Sequence, residues 1–429
     1  MLQDYLNYQV MLIQSYKISM KYQVIRNEKY DFLGQSYSSV YPNLHKYPAT
    51  MLPQIGIELL KELGIHQGKL LDPYCGSGSS FASALECGLT EMYGFDINPL
   101  AVLISRVKFT KIGLDALQIT KQQLREKIDE YLKKENFLEN FPLPKITNIN
   151  FWFSQEVINK LNLLRYFINQ IADKNLYNFF LIPFSETVRE CSYTRNNEFK
   201  LYKMKATDIL KFNPDVLGVY FKRLNDVINI YETIYLPKLT ENTQINVNYS
   251  QFNYAEDSFD LVLTSPPYGD SRTTVAYGQF STLANEWIGI DYARKVDKML
   301  MGGSQTKSLY NQGLITDYIQ AIAVNNEKRA LEVSAFYLDL EKSIDQVAKS
   351  VKKGGKIIYV VGNRTVKNIQ LPTDQFIAEK FEQNGFRHLI TYERLLSNKA
   401  MPSKNSPTNE SGHTVNTMLY EYIVISEKS

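Results

Sequence analysis

Short apolar runs that end at acids, glycines or prolines recur along the chain and divide it into strand-like and helix-like stretches. Lys69-Leu70-Leu71 runs into Asp72, and Glu91-Met92-Tyr93-Gly94-Phe95 runs into Asp96. Gln244 to Val247, Phe259 to Leu263 and Gly355 to Val361 have the same form. Runs this short, bounded by turn residues, predict buried strands. Between Ala101 and about Pro237 the pattern takes the helical period, as in Thr120 to Ile128 and Glu156 to Leu164. That stretch is too long for a connection inside a compact sheet, so it predicts an inserted helical module. Lys353-Gly354-Gly355 predicts a turn ahead of the Gly355–Val361 strand. His388 to Arg394 and Asn416 to Ile425 predict a closing hairpin, with a polar Pro-, Asn- and Ser-rich loop from Ser397 to His413 between them. Strands separated by helices predict an α/β fold with an open, mostly parallel sheet that binds ligands at its strand ends. The chain then divides into residues 1–110, a helical insertion over 111–240, and residues 241–429.

Two of these strand ends carry candidate chemistry. Phe259 to Leu263 leads into Thr264-Ser265-Pro266-Pro267-Tyr268. Two prolines fix two φ angles and remove two backbone donors. What is left is a rim of carbonyl acceptors, the Ser265 hydroxyl and the aromatic face of Tyr268. Such a rim suits a planar group bearing an exocyclic amine. An ordinary polyproline turn after a strand has the same letters, so the upstream partner decides the matter. There, Asp72-Pro73-Tyr74-Cys75-Gly76-Ser77-Gly78 forms a small-residue loop ahead of a helix opening near Phe81. Its glycines let the backbone approach a ligand closely. Asp96, about twenty residues on, is placed for ribose hydroxyls. Phe81 stands where the third glycine of a dinucleotide fingerprint belongs, and no Gly-Lys-Ser/Thr ending follows. Both facts argue against a pyrophosphate seat and a P-loop.

Asp72-Pro73-Tyr74-Cys75-Gly76-Ser77-Gly78 resembles the cofactor motif of the S-adenosylmethionine-dependent amino-methyltransferases, and Ser265-Pro266-Pro267-Tyr268 resembles their catalytic tetrapeptide. That family methylates exocyclic amines of bases in DNA, and the serine form accompanies cytosine-N4 enzymes. Softer likenesses run through Tyr41 to Ala49, Thr187 to Arg195 and Ser271 to Phe280. The resemblance implies a Rossmann-like class I methyltransferase fold, with a mixed, mostly parallel sheet and a helical insertion. The cofactor half lies in 1–110 and the catalytic half in 241–429.

Carried over residue by residue, the resemblance makes Ser265, Pro266, Pro267 and Tyr268 the catalytic loop. Asp72 and the loop residues Tyr74, Gly76, Ser77 and Gly78 face the methionine end of S-adenosylmethionine. Asp96 holds the ribose, Ile97 presses on adenine with Asn98 beside it, and His45, Tyr47 and Pro48 cover the methionine. Where many relatives place an acid for the adenine amine, this chain has Asn248-Tyr249-Ser250. Acceptors at Ser265 Oγ and the Pro266 carbonyl would localise the amine lone pair while Tyr268 stacks on the base. A base in a duplex has to be flipped out to reach them.

Composition narrows the class further. Forty-eight Lys and Arg against 45 Asp and Glu leave a net charge of +3, so any nucleic-acid contact needs a local basic face. Arg195 and Arg272 are the candidate DNA contacts. The helical insertion, Gly269 to Gly303 and Ser397 to His413 are candidate DNA-facing segments. Phe151-Trp152-Phe153 reads as core. Three cysteines without a Cys-x-x-Cys pair argue against a disulfide framework or a metal site, and no cysteine lies in the Pro-Pro loop to serve cytosine-C5 chemistry. No run has the length of a membrane span, which predicts a cytoplasmic protein. The expected partners are double-stranded DNA and a cognate restriction endonuclease. The leading expectation is a DNA cytosine-N4 methyltransferase, with DNA adenine-N6 and RNA guanine-N2 methylation as alternatives and a non-catalytic binding protein as the remotest.

Overall fold

The computed structural model describes residues 21–35, 41–48, 51–133, 141–195, 198–249, 255–269, 276–396, 404–405, 415–416 and 418–429. Arg272, most of the Ser397–His413 loop and Ser250 lie outside the described residues. Eight strands form the main sheet: β1 (Val24–Arg26), β2 (Lys69–Asp72), β3 (Glu91–Phe95), β4 (Gln244–Asn248), β5 (Phe259–Thr264), β6 (Val351–Val361), β7 (Phe386–Leu395) and β8 (Tyr420–Lys428). Their order is β1-β7-β8-β6-β5-β2-β3-β4. β8 runs antiparallel to β6 and β7, and every other neighbouring pair is parallel. The expected mixed, mostly parallel α/β sheet is therefore what the chain forms. The order reverses between β2 and β5, and that is where an open sheet of this kind leaves a crevice.

The central strands are apolar on both faces because helices cover both. Alternate residues feed two separate cores. Leu70, Met92, Leu263, Ile358, Val360, Ile423 and Ile425 point into one. Leu71, Val262, Ile357, Tyr359, Val361, Tyr422 and Val424 point into the other. The first core is closed by α1 (Pro53–Glu62), α2 (Ser79–Glu86), α3 (Pro99–Phe109), α4 (Leu114–Leu132), α5 (Gln155–Ile168), α6 (Lys174–Glu190), α7 (Val216–Ile230) and α8 (Tyr277–Trp287). The second is closed by α9 (Thr316–Asn325), α10 (Glu327–Ser350) and α11 (Thr373–Gln383). The chain between β3 and β4 runs through α3 to α7.

Two local expectations change, and one strand is new. Lys353-Gly354-Gly355 is not a turn ahead of a strand. It lies inside β6, and the pairing register with β5 slips between Phe259 and Leu261. Gly354 takes φ +76°, which lets the extra residues bulge while the strand continues. The closing hairpin pairs Leu395 with Tyr420 at its loop end; Asn416 belongs instead to a separate two-residue pairing with Lys404. β1 was not foreseen: three residues, two of them exposed, give no periodic signal.

Candidate active site

β2 and β5 are neighbours, so their carboxyl ends, Asp72 and Thr264, meet at the crevice. Thr264 Oγ1 donates to Asp72 Oδ1 across 192 positions of sequence. The Tyr74 amide donates to the same oxygen at 3.0 Å, and Ser80 Oγ donates to Oδ2. One carboxylate thus ties the glycine loop to the residue preceding Ser265. Asp72 is only 3% exposed, and burial lifts its pKa to about 6 against the pull of these three donors.

The loop from Tyr74 to Gly78 is held from behind by α3. Ser105 Oγ donates to the Gly76 carbonyl at 2.7 Å, and Lys108 Nζ to the Ser77 carbonyl at 2.8 Å. Gly78 has φ +85°, and a Cβ there would lie 2.7 Å from the Phe109 ring, so both the turn and the close approach require glycine. The loop amides of Cys75, Gly76 and Gly78 donate to the Phe95 carbonyl, Asp96 Oδ2 and the Cys75 carbonyl.

Asp96 follows β3. Its Oδ2 accepts the Gly76 amide at 3.0 Å and its Oδ1 the Asn98 amide at 2.8 Å, so the carboxylate is fixed in place with lone pairs to spare. Burial raises its pKa to about 6, and Asp72 adds to the rise. Ile97 is half-buried beside it. Asn98 is fully buried and faces the protein. Its Oδ1 caps α3 through the Leu100 amide, and its Nδ2 donates to the Tyr47 hydroxyl at 3.1 Å and to Ser281 Oγ at 2.9 Å.

Tyr47 therefore joins the same corner. Its ring lies over Tyr277 at 6.0 Å with a 25° tilt. Pro48 is buried next to it. Segment 41–48 is pinned by the Lys46 amide, which donates to Glu186 Oε1 at 2.6 Å, and by Lys108, which donates to Asn43 Oδ1. His45 is buried with neither ring nitrogen hydrogen-bonded among the described residues. Its edge meets Phe280 at 6.1 Å, and burial, reinforced by Arg189, lowers its pKa to about 3.

On the other side of the crevice, Pro266 is buried while Ser265, Pro267 and Tyr268 are half-buried. Ser265 Oγ donates to the Tyr268 hydroxyl at 3.2 Å, and that hydroxyl donates to Glu421 Oε1 at 2.9 Å. Burial, with Glu421 nearby, pushes the Tyr268 phenol well above its ordinary pKa. Glu421 on β8 is paired with the buried Arg394 on β7. Neither residue was foreseen. The signal available was that two opposite charges face each other in the hairpin register, Glu421 opposite Arg394.

Arg195 stands elsewhere. It is exposed on a short antiparallel turn bridged by Thr194 and Lys203, and it pairs with Glu198 at 3.1 Å. The Leu201 amide ties that turn to Gln279 of α8 at 3.3 Å, and Phe199 lies 6.4 Å from Phe280. Trp152 and Phe153 are core, whereas Phe151 is exposed with Lys203 Nζ 3.8 Å above its ring.

No family model matches the chain. It is 39% identical over 427 residues to the type II methyltransferase M.MvaI of Kocuria varians, covering 93% of each protein. It is 24% identical over 195 residues to the type II methyltransferase M.MjaII of Methanocaldococcus jannaschii, covering 44% of this chain and 34% of that one. Among solved structures, a Thermus thermophilus protein assigned as a DNA modification methylase, complexed with S-adenosyl-L-methionine, is 20% identical at TM-score 0.20, covering 41% and 47% of the two chains. A Pyrococcus horikoshii protein assigned as an RNA methyltransferase is 9% identical at TM-score 0.26, covering 97% and 98%. Likenesses of that size carry no weight beside a full-length relative. With near-complete coverage at 39% identity and both motif loops at one sheet edge, the chain belongs to the type II DNA methyltransferases.

Proposed function

We propose that this enzyme methylates the exocyclic N4 amine of a cytosine flipped out of double-stranded DNA. The methyl donor is S-adenosylmethionine. The observation that carries the reading is the bond between Thr264 and Asp72, which joins the glycine loop to the head of the Ser-Pro-Pro-Tyr loop. The choice of cytosine rests on Ser265, a hydroxyl where an adenine enzyme more often has Asp or Asn.

Asp96 accepts the ribose hydroxyls, Ile97 lies on adenine, and the loop from Tyr74 to Gly78 lies along the methionine end. Asp72 acts by holding that loop to β5. Tyr47 and Pro48 close the methionine side, with His45 behind them. The sulfonium is already an activated leaving group, so the task is alignment. Ser265 Oγ and the Pro266 carbonyl accept the amine hydrogens. The amine lone pair then forms the nitrogen–carbon bond, the carbon–sulfur bond breaks toward sulfur, and the methylated amine releases one proton to solvent. Extruding the base costs roughly a few kcal/mol, offset by the pocket's contacts.

We assign residues 111–240 as a DNA-contact module between the two halves, with Arg195 among its DNA contacts, and a restriction endonuclease of the same sequence specificity as the functional partner in the cytoplasm. No helix among the described residues is long and apolar enough to cross a membrane. Mass spectrometry of nucleosides from the DNA and, separately, the RNA of an expressing host tests the base directly. N4-methylcytosine is expected. N6-methyladenine in its place overturns the cytosine reading, and methylguanine confined to RNA overturns the DNA reading.

A further inference from the structure

We propose that Glu421, through Tyr268, fixes the direction in which the Ser265 hydroxyl points, so that the target base meets Ser265 as an acceptor only. The inference rests on the amine-acceptor reading above and adds a specificity device to it: the pocket distinguishes an amine from a carbonyl at the same ring position.

A serine hydroxyl has one proton and two lone pairs and can rotate to serve either a donor or an acceptor. Left free, Ser265 would accept from the N4 amine of cytosine and donate to the O4 carbonyl of uracil with similar ease. The surrounding bonds remove that freedom. Glu421 is the anionic half of a buried ion pair with Arg394, and an ionised carboxylate only accepts. The single phenolic proton of Tyr268 is directed at Glu421 Oε1 at 2.9 Å. The phenol oxygen then has only lone pairs to offer, and Ser265 Oγ donates its proton to it at 3.2 Å. What Ser265 turns to the crevice is oxygen lone pairs. An amine is welcome there, and a carbonyl meets like charge.

The chain is anchored at its far end. Arg394 Nε donates to the Tyr30 carbonyl at 2.6 Å, and the Leu395 amide donates to Asp31 Oδ1 at 2.7 Å. Glu421 and Arg394 are also register partners in the β7–β8 hairpin. The carboxylate that orders Ser265 thus cannot rotate away without breaking its buried pair with Arg394. Glu421 is a positioning residue in this account. It does not touch the base.

The test uses the full-length enzyme with S-adenosylhomocysteine bound, so that no turnover occurs, and two duplexes of the sequence that methylome sequencing identifies. One carries cytosine at the target position and the other uracil. The difference in unpairing energy belongs to the DNA and cancels when variants are compared with wild type. Tyr268→Phe keeps the ring and the ion pair but removes the link. It is expected to lower the cytosine-over-uracil preference by about 10- to 100-fold, the range for one unmatched polar group in a closed site, with cofactor affinity unchanged. Glu421→Gln, whose amide can donate back toward Tyr268, is expected to lower it as well. An unchanged preference in Tyr268→Phe overturns the proposal whatever Glu421→Gln does to the fold. If the product proves to be N6-methyladenine, the cytosine reading fails by itself. The same comparison run with adenine against hypoxanthine, again amine against carbonyl, then decides the polarity question separately.

Discussion

The loop after β2 and the loop after β5 sit at the ends of neighbouring strands, yet their supports come from different distances along the chain. The glycine loop is held by Ser80, Asp96, Ser105 and Lys108, all within about one βαβ unit of it. The Ser-Pro-Pro-Tyr loop is held by Glu421, 153 positions away from Tyr268, and through it by Arg394 and the carbonyl of Tyr30. One loop takes most of its bonds from its own strand-and-helix neighbourhood, with one long-range bond from the Tyr74 hydroxyl to Ser343 Oγ of α10. The other is completed only when the last strand enters the sheet beside β6 and the N-terminal segment packs on β7. The Thr264–Asp72 bond ties the two directly. Damage to the first loop should therefore stay with the cofactor, damage to the second should stay with the base, and damage to the tie should reach both.

The largest effect is expected at Asp96. In Asp96→Ala two ribose hydroxyls lose a charged acceptor, each bond contributing about 1.5–3 kcal/mol. Affinity for S-adenosylmethionine should fall on the order of 100-fold or more by calorimetry. The cytosine-over-uracil preference of the DNA complex should not move. If it does, the two loops are not separable and the contrast fails.

Asp72 comes next, because it serves both sides. Asp72→Ala strands the Ser80 hydroxyl, the Thr264 hydroxyl and the Tyr74 amide in a buried place. A loss of about 2–3 kcal/mol in denaturant unfolding is expected, together with weaker binding of cofactor and DNA alike. Asp72→Asn should be far milder. Burial already works against the charge, which is why the carboxyl sits near pKa 6, and a neutral isostere avoids that cost while keeping an acceptor for Thr264.

The two loops also differ in how much of each was legible. Asp72, Gly78, Asp96 and Ser265 stand out in the sequence because their chemistry is local: an acid at a strand end, a glycine where φ is positive, a hydroxyl before two prolines. The central strands were legible because their apolar runs are short and bounded. Glu421 and Arg394 were not, since a lone acid and a lone arginine in strand-like segments acquire a role only from what the folded sheet sets against them. Asn98 was foreseen at the site, but its partners Tyr47 and Ser281 come from segments on either side, and no spacing announces them. The Lys353-Gly354-Gly355 run looked like a turn because glycine permits a bulge and a turn equally well.

Acid pH provides a smaller probe of the same contrast. Asp96 has its folded-state pKa raised to about 6, so below pH 6 it binds a proton and loses its value as an acceptor for ribose hydroxyls. Affinity for S-adenosylmethionine should weaken about tenfold for each pH unit below 6, following the ionised fraction. Asp96→Asn should show a flat profile. The effect on folding has the opposite sign. A raised pKa means the folded state holds the proton more tightly than the unfolded chain, whose carboxylates titrate near pH 4. The contribution of Asp72 and Asp96 to stability is therefore fully present below about pH 4 and is lost as pH rises through 6. Cofactor affinity and the part of stability carried by these two groups should move in opposite directions between pH 6 and 4, and parallel curves would remove both assignments.

The smallest effect is expected where neither loop is involved. Arg195 is exposed, and its pair with Glu198 is of the surface kind worth about 0–1 kcal/mol, so Arg195→Ala should leave the melting temperature unchanged. If its guanidinium meets a DNA phosphate, removing it should weaken DNA binding a few-fold at moderate salt and reduce the slope of log affinity against log salt by about 0.9. The turn that carries Arg195 rests on α8 through Leu201 and Gln279, and α8 also carries Ser281, which accepts from Asn98 behind Asp96. A mechanical path from that turn to the cofactor corner therefore exists. Cofactor affinity that stays constant in Arg195→Ala while the salt slope falls would mean the path transmits nothing and Arg195 acts by charge alone. A change in cofactor affinity with no change in slope would mean that the turn supports the glycine-loop side of the crevice, and that the local unit is larger than its own helices.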